Sequence, residues 1–322
     1  MRIVFRMDPL AEVVVGENST YELMLAARRH GHEIFHMAGG AALIDSGTIR
    51  LHLTPVDLEP GATSPWRLGA PRWIEGENID LVLIRTDPPF DDRYLRDTWL
   101  LEHLPPSTAV VNTPAGLRTV AEKLWCLRFA DLMPPTLVAR EFRDFKAWFV
   151  DQGTRDIILK PVDGHAGRGV FRVNAQDRNA YVAWTQLTDN GHHEAIAQHA
   201  LAGDRGGEKR VLTLGDRVLG VVPRIARGCD HRNHWPDDNP DRAMLSANEQ
   251  AVVERILPAL QAAGIFCAGL DLIDGYLTEI NVTSPGMLQD LAQISGRPIA
   301  DEVLTACLEQ VATSRLQLTD TD

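Results

Sequence analysis

The chain is poor in cysteine, in aromatic residues and in positive charge, and it has no long apolar run. It has 4 cysteines in 322 residues, 6% aromatic residues, and 32 Lys and Arg against 44 Asp and Glu, for a formal net charge of −12. Nucleic-acid partners need clustered Lys and Arg, so this balance argues against them. Because no segment approaches the length of a membrane span, we also expect no membrane partner.

The cysteines are not arranged for a disulfide framework or a Cys-x-x-Cys site. Cys126, Cys229, Cys267 and Cys307 lie far apart in the sequence. The N-terminal residues read as a β-strand containing two arginines and not as a secretory signal. We therefore expect reduced thiols and a cytoplasmic location.

Strands and helices alternate over residues 1–120. Apolar runs at 2–7, 33–37 and 80–85 predict buried strands, and the segments between them include helical patterns. This alternation predicts an α/β domain with an open, mostly parallel, Rossmann-like sheet. The stretch 42–78 has little periodicity and predicts only a small hairpin and a surface excursion.

The carboxyl ends of parallel strands form the edge at which ligands bind in such sheets. Asp8, Arg85 and Asp87 follow predicted strands and therefore lie at a candidate site edge. They are polar residues that could face a small-molecule substrate.

Local signals also predict helix boundaries. Ser19 with Glu22, and Ser246 with Glu249, match the capping-box spacing at the start of a helix. A further helix is predicted over 116–130.

From residue 121 the pattern changes to α+β. Residues 121–200 read as a small module in which two strands flank a glycine-rich loop. Residues 201–322 read as a larger module that is mostly antiparallel, with a hairpin around Gly215–Asp216. We therefore predict three modules, with boundaries at 120 and 200.

Three oxygen-bearing side chains stand on two short strands of the last module. Asp271 lies on the strand before the turn at Asp274–Gly275, and Glu279 and Asn281 lie on the strand after it. Two carboxylates and an amide suit Mg²⁺, which completes its octahedron with water and phosphate oxygens. The alternative is an acidic hairpin that faces water.

The geometry of the turn decides whether the three side chains share a face. A two-residue loop would pair Ile273 with Tyr276 and turn Asp271 away from Glu279. A loop of odd length, with Gly275 in the left-handed conformation, would pair Asp271 with Leu277 and bring all three together. We predict the odd loop.

A glycine-rich loop follows Lys160 at the end of a predicted strand. Gly164, Gly167 and Gly169 allow backbone N–H groups to approach a phosphate closely. The loop joins strand to strand, so it is neither a Walker A loop nor a dinucleotide-binding fingerprint. The alternative is an ordinary β-turn beside an exposed lysine.

Two arginines lie on the strands of the predicted hairpin at 208–226. Arg210 begins one strand, with Lys209 facing the opposite way, and Arg224 lies on the partner strand. Such arginines are often surface ion pairs worth less than ~1 kcal/mol. In a phosphoryl-transfer site they would hold developing negative charge.

The order of these features resembles the ATP-grasp superfamily, and within it the bacterial glutathione synthetases. The resemblance is collinear over nearly the whole chain. It rests on MDP at 7–9, RTDPPFD at 85–91, EKL around Lys123, ILKPVDG at 158–164, AQHAL at 197–201, Lys209–Arg210, and GLDLI with LTEINVTSP within 269–285.

This resemblance implies ATP as a cofactor and Mg²⁺, or alternatively Mn²⁺, as the metal. The residues it implies for nucleotide binding are Lys123, Lys160, Gly164, His165, Gly167, Arg168, Gly169, Gln198, His199, Ala200, Leu201 and Lys209. Among these, residues 164–169 would form a mobile loop over the phosphates, and Gln198 and the backbone through Leu201 would line the adenine pocket.

The resemblance implies the remaining roles as well. Asp271, Glu279 and Asn281 would bind the metal, and Arg210, Lys160 and Arg224 would act in catalysis. Residues implied near the peptide substrate are Arg85, Asp87, Arg224, Arg232, Asn281 and Ser284. The implied reaction is the ATP-dependent joining of γ-glutamylcysteine to glycine through an acyl phosphate, with release of ADP and phosphate. The resemblance also suggests a homo-oligomer acting on small-molecule substrates.

The segment 224–243 departs from the family pattern. The family has a glycine-rich flap here, whereas this chain has Asn233, His234, Trp235 and Pro236, and bulk with Pro stiffens a closing flap. Two interpretations of this segment follow: a drifted loop in an unchanged enzyme, or a sister ligase with another acid or amine. A third hypothesis for the chain, a nucleotide-binding regulator without catalysis, has no support from the metal set, since none of its ligands is missing.

The same segment allows a zinc interpretation. Cys229, His231 and His234 have Cys-x-His-x-x-His spacing, with Asp230 or Asp237 as a fourth ligand. A solvated polar flap is the simpler account.

Overall fold

The computed structural model describes residues 1–62, 64–153, 156–174, 176–202, 207–226, 234–236 and 243–319. In this part the chain forms three β-sheets with helices packed against them. The strands of the first sheet are β1 (Arg2–Arg6), β2 (Glu33–Met37), β3 (Ala42–Asp45), β4 (Thr48–Leu58), β5 (Trp66–Leu68), β6 (Arg72–Glu75), β7 (Leu81–Ile84) and β8 (Ala109–Val111).

The other two sheets are antiparallel. The second contains β9 (Thr136–Ala139), β10 (Ile157–Pro161), β11 (Phe171–Val173) and β12 (Ala195–His199). The third contains β13 (Glu208–Leu214), β14 (Arg217–Ala226), β15 (His234–Pro236), β16 (Cys267–Ile273) and β17 (Tyr276–Asn281). Their strand orders are β11-β10-β12-β9 and β15-β14-β13-β16-β17.

The helices lie between and around these sheets. They are α1 (Ser19–Arg29), α2 (Asp92–Leu101), α3 (Pro114–Thr119), α4 (Phe142–Asp151), α5 (Ala180–Leu187), α6 (Ala247–Ala262), α7 (Leu288–Ser295), α8 (Ile299–Thr319) and a longer 3₁₀ helix (Trp125–Leu132). Among the helices described, none combines the length and the apolar character needed to cross a membrane.

The predicted parallel sheet is only the centre of the first sheet. Strands β2, β1, β7 and β8 run parallel in that order, whereas β3 to β6 add antiparallel pairs around β4. The antiparallel part comes from the segment 42–78. The sequence signal for this antiparallel part was the alternation of apolar and polar residues in β4, whose apolar side chains are buried at every second position over most of its length.

Two of the local predictions are wrong, for clear reasons. The cap of α1 is Asn18, whose side chain accepts the Tyr21 N–H, while the Ser19 hydroxyl donates to Gln289. The predicted helix 116–130 is interrupted, because the Glu122 carbonyl accepts the Ile280 N–H at 3.1 Å from the edge of β17. The capping box of α6 at Ser246 and Glu249 is confirmed.

The first and third sheets share hydrophobic packing, while the second has a core of its own. Val4 of β1 and Leu270 of β16 belong to the same buried cluster. In the core beside the second sheet, the Phe145 ring of α4 stacks on Trp184 of α5 with centroids 4.5 Å apart. The third sheet is therefore fixed against the N-terminal residues, and the module boundaries at 120 and 200 stay a prediction.

Candidate active site

One face of the third sheet gathers the predicted charged residues. In an antiparallel sheet, residues directly opposite each other place their side chains on the same face. Arg210 lies opposite Asp271, and Asp271 lies opposite Glu279. Gly269 lies opposite Asn281, two residues further along. The strand register alone therefore brings two carboxylates, an amide and a guanidinium to one surface.

The predicted odd loop is wrong, yet the shared face exists for another reason. The turn is a two-residue loop in which both Asp274 and Gly275 have positive φ, at 50° and 83°. A β-bulge follows: the register shifts beyond Asp271, so that Thr278 is an extra residue and Asp271 pairs with Glu279. The bulge corrects the register that the short turn would otherwise impose.

The bulge also provides a contact for Lys160. The Lys160 ammonium donates to the Thr278 carbonyl and to Gln198 Oε1, both at 3.3 Å. Burial lowers the pKa of Lys160, and the Glu279 carboxylate opposes this effect. A buried ammonium with a carbonyl and an amide as partners suits an anionic ligand such as a phosphate.

Lys123 lies at the meeting point of the hairpin and the glycine-rich loop. Its ammonium is 2.8 Å from Glu279 Oε1 and donates to the Gly164 carbonyl. The side chain is buried. Lys123, which precedes the 3₁₀ helix, and Lys160, at the end of β10, thus both approach β17. The family resemblance implies both as phosphate contacts.

The glycine-rich loop connects β10 and β11. A Cβ at Gly164 would lie 2.3 Å from Pro161 Cγ, so a side chain there would force the loop to move. Gly167 and Gly169 have φ of 67° and 71°. The loop conformation depends on glycine at these positions. His165 is half-buried and Arg168 is exposed in this loop.

Arg210 and Arg224 share the carboxylate of Asp271. Arg210 binds it in a bidentate pair at 2.7 and 2.6 Å, and Arg224 Nη1 lies 3.4 Å from Oδ2. Burial opposes ionisation of Asp271, but the two arginines outweigh it and lower its pKa. Arg224 also pairs with Glu208 at 2.7 Å. Its Nε finds no hydrogen-bond acceptor in the described part of the chain.

The oxygen donors fit a divalent metal bound together with phosphates. Asn281 Nδ2 donates to Gly269 O and Asp271 Oδ2, both at 3.3 Å, which directs its amide nitrogen toward protein acceptors. Asp271 and Glu279 supply carboxylate oxygens on the same face. Within the described residues, no group of three or more His, Cys, Asp or Glu is placed to hold a metal alone. Such a donor set needs phosphate and water oxygens, as Mg²⁺ commonly does.

The predicted adenine-pocket residues divide between two faces of the second sheet. Gln198 lies on the face of Lys160, and its Nε2 donates to Thr136 at 2.8 Å. His199 faces the other side, where Nε2 is 2.7 Å from Gln152 Oε1. The structure therefore separates the His199 side chain from the lysines. Ala200 and Leu201 directly follow β12 and lead toward the third sheet.

Lys209, also predicted to bind the nucleotide, makes its contacts on the opposite face of the third sheet. Its ammonium donates to Glu249 Oε2 at 2.7 Å and to the Met244 carbonyl at 2.9 Å. It is buried on the face opposite Arg210. The structure brings it to α6 and not to the carboxylates.

Arg85 and Ser284, two of the residues that the resemblance implies near the substrate, lie where the first sheet meets the third. Arg85 is buried, and it donates to Thr20 Oγ1 at 3.2 Å and to the Pro285 carbonyl at 2.9 Å, beside Ser284. Asp87 is exposed, and its backbone N–H donates to Asp8 Oδ2 at 2.8 Å. A cleft lies next to these residues, lined by Met7, Asp8, Pro9, Glu12, Val13, Asn18, Arg85, Asp87 and Pro88.

The altered flap is largely outside the described residues. These exclude Arg232 and the side chains of the zinc interpretation, Cys229, His231 and His234, so both predictions stay untested. What is described is the pairing of β14 with β15, in which Ile225 lies opposite Trp235.

Sequence reasoning missed two polar residues that contact the hairpin, the buried Asn112 and the half-buried Glu122. Glu122 accepts hydrogen bonds from Val282 and Thr283, and Asn112 bonds Val282 and Cys267. Burial and the nearby Glu279 charge raise the pKa of Glu122. The sequence signal was weak: Glu122 precedes Lys123 in the EKL motif, and Asn112 ends a short apolar strand.

Family models match nearly the whole chain. The model for the ATP-grasp domain of prokaryotic glutathione synthetase matches residues 122–296, and the model for the N-terminal domain of the same family matches residues 1–118.

Individual proteins show the same likeness. A glutathione synthetase from Ralstonia nicotianae is 34% identical over 315 residues, covering 97% of this chain and 96% of that protein. One from Rhodopseudomonas palustris is 32% identical over 304 residues, covering 94% and 96%. The crystal structure of the D-cycloserine synthetase DcsG superposes with a TM-score of 0.62 at 16% identity, covering 96% of this chain and 99% of that one. That last likeness concerns the fold.

Proposed function

The chain belongs to the prokaryotic glutathione synthetase family and is an ATP-grasp ligase that forms carbon–nitrogen bonds, and we propose that it joins γ-glutamylcysteine to glycine. ATP and a divalent metal are the requirements of this family. The observation that carries the proposal is the single face on which Arg210, Asp271, Glu279 and Asn281 meet beside two lysines.

The chemistry requires activation of a carboxylate. An oxygen of the γ-glutamylcysteine carboxylate attacks the γ-phosphorus of ATP, the bond to the β-phosphate oxygen breaks, and ADP leaves. The glycine amine then attacks the acyl carbon, phosphate leaves with the bonding electrons, and the amine loses a proton. Such a site needs cations for the triphosphate and exclusion of water that would hydrolyse the acyl phosphate.

The lysines are suited to the triphosphate. Lys123 and Lys160 both approach β17, and Gly164, Gly167 and Gly169 allow backbone N–H groups to contact phosphate oxygens. In our proposal, His165 and Arg168 add contacts from the same loop. A bound polyanion stabilises the ammonium form of Lys160 against the effect of burial.

Gln198 and the backbone of 199–201 would line the adenine pocket. The side chain of His199 takes no part, because it contacts Gln152 on the other face. We assign Lys209 a supporting role only, through its pair with Glu249 behind the sheet.

Asp271, Glu279 and Asn281 would hold the divalent ion, which we propose to be Mg²⁺, with Mn²⁺ as a substitute. When bound, the ion supplies positive charge against the phosphate oxygens. Arg210 and Arg224 would stabilise the phosphoryl group in transfer. Their shared carboxylate, Asp271, keeps both guanidinium groups on that face.

The acid substrate would lie between the first and third sheets. Arg85, Asp87 and Ser284 border this region, and Arg232 would reach it from the flap. The buried Arg85 already donates to Pro285, so we propose that it fixes the loop after β17 as well as facing substrate.

Phosphate release from ATP and Mg²⁺ with γ-glutamylcysteine and glycine, each omitted in turn, tests the proposal. We expect release only when both are present, with turnover near the usual ~10 per second. Release that needs neither substrate, or no release while ATP still raises the melting temperature, would contradict the choice of substrates. It would leave the nucleotide site in place.

A second candidate is a ligase of the same chemistry with another acid or amine. The bulky residues of 224–243 favour it, and Trp235 lies opposite Ile225 in the β14–β15 pair. A panel of amines in place of glycine separates the two candidates. The second gains support if a larger amine gives a higher kcat/KM than glycine.

We also propose a cytoplasmic location and a homo-oligomeric state. Reduced cysteines and the family resemblance support them. Light scattering on the purified protein tests the oligomer, and fractionation of cells tests the location.

A further inference from the structure

Two polar side chains, the buried Asn112 and the half-buried Glu122, hold the residues that follow β17. Asn112 and Glu122 come from segments far from β17 in the sequence, yet both bond to Val282. Asn112 Nδ2 donates to the Val282 carbonyl at 2.8 Å, and Glu122 Oε1 accepts the Val282 N–H at 3.1 Å. Both polar backbone groups of this residue are thus held by side chains.

Asn112 uses its full hydrogen-bonding capacity. Its Nδ2 also donates to the Cys267 carbonyl at 2.8 Å, and its Oδ1 accepts the N–H groups of Phe266 and Cys267 at 2.8 Å each. The residue is 3% exposed. Four bonds on one amide lock its orientation, and they tie the start of β16 to the end of β17.

Glu122 holds the following residue as well. Its Oε1 accepts the Thr283 N–H at 3.3 Å and the Thr283 hydroxyl at 3.0 Å, and its carbonyl accepts the Ile280 N–H. The next residue, Lys123, contacts Glu279 directly. One short segment therefore fixes the strand and supplies the cation beside it.

These hydrogen bonds matter because β17 is an edge strand of the third sheet. Beyond it no further strand of this sheet appears in the described residues, so one edge of β17 is stabilised by side chains and by the 122–123 segment. Glu279 and Asn281 stand on that strand, and Asn281 directly precedes Val282. A displacement of the strand end would move the oxygen atoms of Glu279 and Asn281, and metal binding requires these atoms at fixed positions.

We propose that Asn112 and Glu122 are positioning residues that hold Glu279 and Asn281 in the geometry that binds the divalent ion. The inference rests on the proposed metal site. Neither residue touches the ion; each acts through the backbone of 280–283.

Binding of Mn²⁺ measured by electron paramagnetic resonance, with a non-hydrolysable ATP analogue present, tests the inference without turnover. Glu122→Ala and Asn112→Ala should weaken Mn²⁺ binding about tenfold or more. The affinity for the analogue without metal should change little, because the Lys123–Gly164 and Lys160–Gln198 contacts do not involve these side chains.

Graded variants keep the test informative if an alanine variant fails to fold. Glu122→Gln retains the acceptor oxygen and should stay within about threefold of wild type in Mn²⁺ affinity. Thr283→Val removes one of the three donors to Glu122. It should lower Mn²⁺ affinity by an amount between those expected for Glu122→Gln and Glu122→Ala. Thr108→Val is the matched control, since it removes buried hydrogen bonds to Gly76 and Ile79 away from the hairpin.

The outcomes are distinct. Unchanged Mn²⁺ affinity in the alanine variants, or an equal loss in Thr108→Val, would overturn the positioning role while leaving the metal site. Failure of the wild-type protein to bind Mn²⁺ with the analogue would overturn the metal site itself, and the positioning role with it.

Discussion

Two buried arginine–aspartate pairs, one in the first sheet and one in the third, use the same chemistry in different settings. Arg6 and Asp97 are each 5% exposed at the side chain, and Arg210 and Asp271 are 17% and 7% exposed. Arg6 also donates to Thr86, and Asp97 accepts the Gly40 N–H. Every contact of that pair stays within the N-terminal residues.

The pair in the third sheet is shared. Asp271 is contacted by Arg210, Arg224 and Asn281, and a second carboxylate, Glu279, lies directly opposite. Burial and pairing therefore do not by themselves mark a functional site. What distinguishes the candidate site is one carboxylate serving several groups on a face that offers further oxygen donors.

Substitution of Asp271 should have the largest effect on activity. Asp271→Asn removes the carboxylate that we propose to bind the metal and the charge that holds two arginines, so we expect kcat to fall about a hundredfold or more. Phosphate release with saturating substrates measures it.

The matched control is Asp274→Asn, the same chemical change in the turn of the same hairpin. Asn tolerates the positive φ found there, so activity should be retained. Equal losses in the two variants would mean that Asp271 has no special role.

Substitution of Asp97 should affect stability instead. Asp97→Asn leaves the Arg6 guanidinium buried without its carboxylate, which typically costs about 3 kcal/mol or more of unfolding free energy. Activity per folded molecule should remain, because among the described residues the hydrogen bonds of this pair all stay within the N-terminal part of the chain. Urea unfolding and phosphate release on the same samples separate the two effects.

Asp92→Asn, an exposed change on the same helix, serves as the control and should shift stability by less than about 0.5 kcal/mol. A large loss of kcat in Asp97→Asn at full folding would remove the contrast between the two pairs.

The face of a strand on which a side chain lies could be predicted where the sequence pattern is local. Alternation along β13 and β14 correctly set Arg210 apart from Lys209. The bulge at Thr278 could not be predicted, because a one-residue irregularity leaves the composition of the strand unchanged.

Contacts between residues far apart in the sequence could not be predicted either. Asn112 meets Cys267 across 155 residues, and Glu122 meets Val282 across 160. No local pattern indicates such partners. The small hairpin predicted in 42–78 is confirmed by the β3–β4 pair, but the pairing of β5 and β6 with β4 was missed, because prolines and glycines in 42–78 masked the alternation of β4.

The pH dependence of stability should distinguish the site from the surface. Burial lowers the pKa of Lys160 below its usual 10.5. Between the lowered value and 10.5 the unfolded chain binds more protons than the folded one, so this group makes stability rise with pH. The stability of wild type relative to Lys160→Met should therefore increase as pH rises toward about 10.5. Urea midpoints across this range measure it.

Lys146→Met, at an exposed lysine on α4, is the control for that series. Its midpoints should run parallel to those of wild type. Parallel curves for Lys160→Met as well would show that Lys160 is not held in a buried environment.

The exposed pair between α1 and α8 should give the smallest effect. Arg29 binds Asp301 in a bidentate pair at 3.2 and 2.5 Å, but the side chains are 49% and 23% exposed. Because of solvent screening, such pairs contribute about 0 to 1 kcal/mol to the free energy of unfolding, and salt weakens them further. Arg29→Gln should therefore lower the unfolding free energy by less than about 1 kcal/mol, and less still in high salt. A loss as large as that of Asp97→Asn would show that good geometry, more than burial, sets the strength of these pairs.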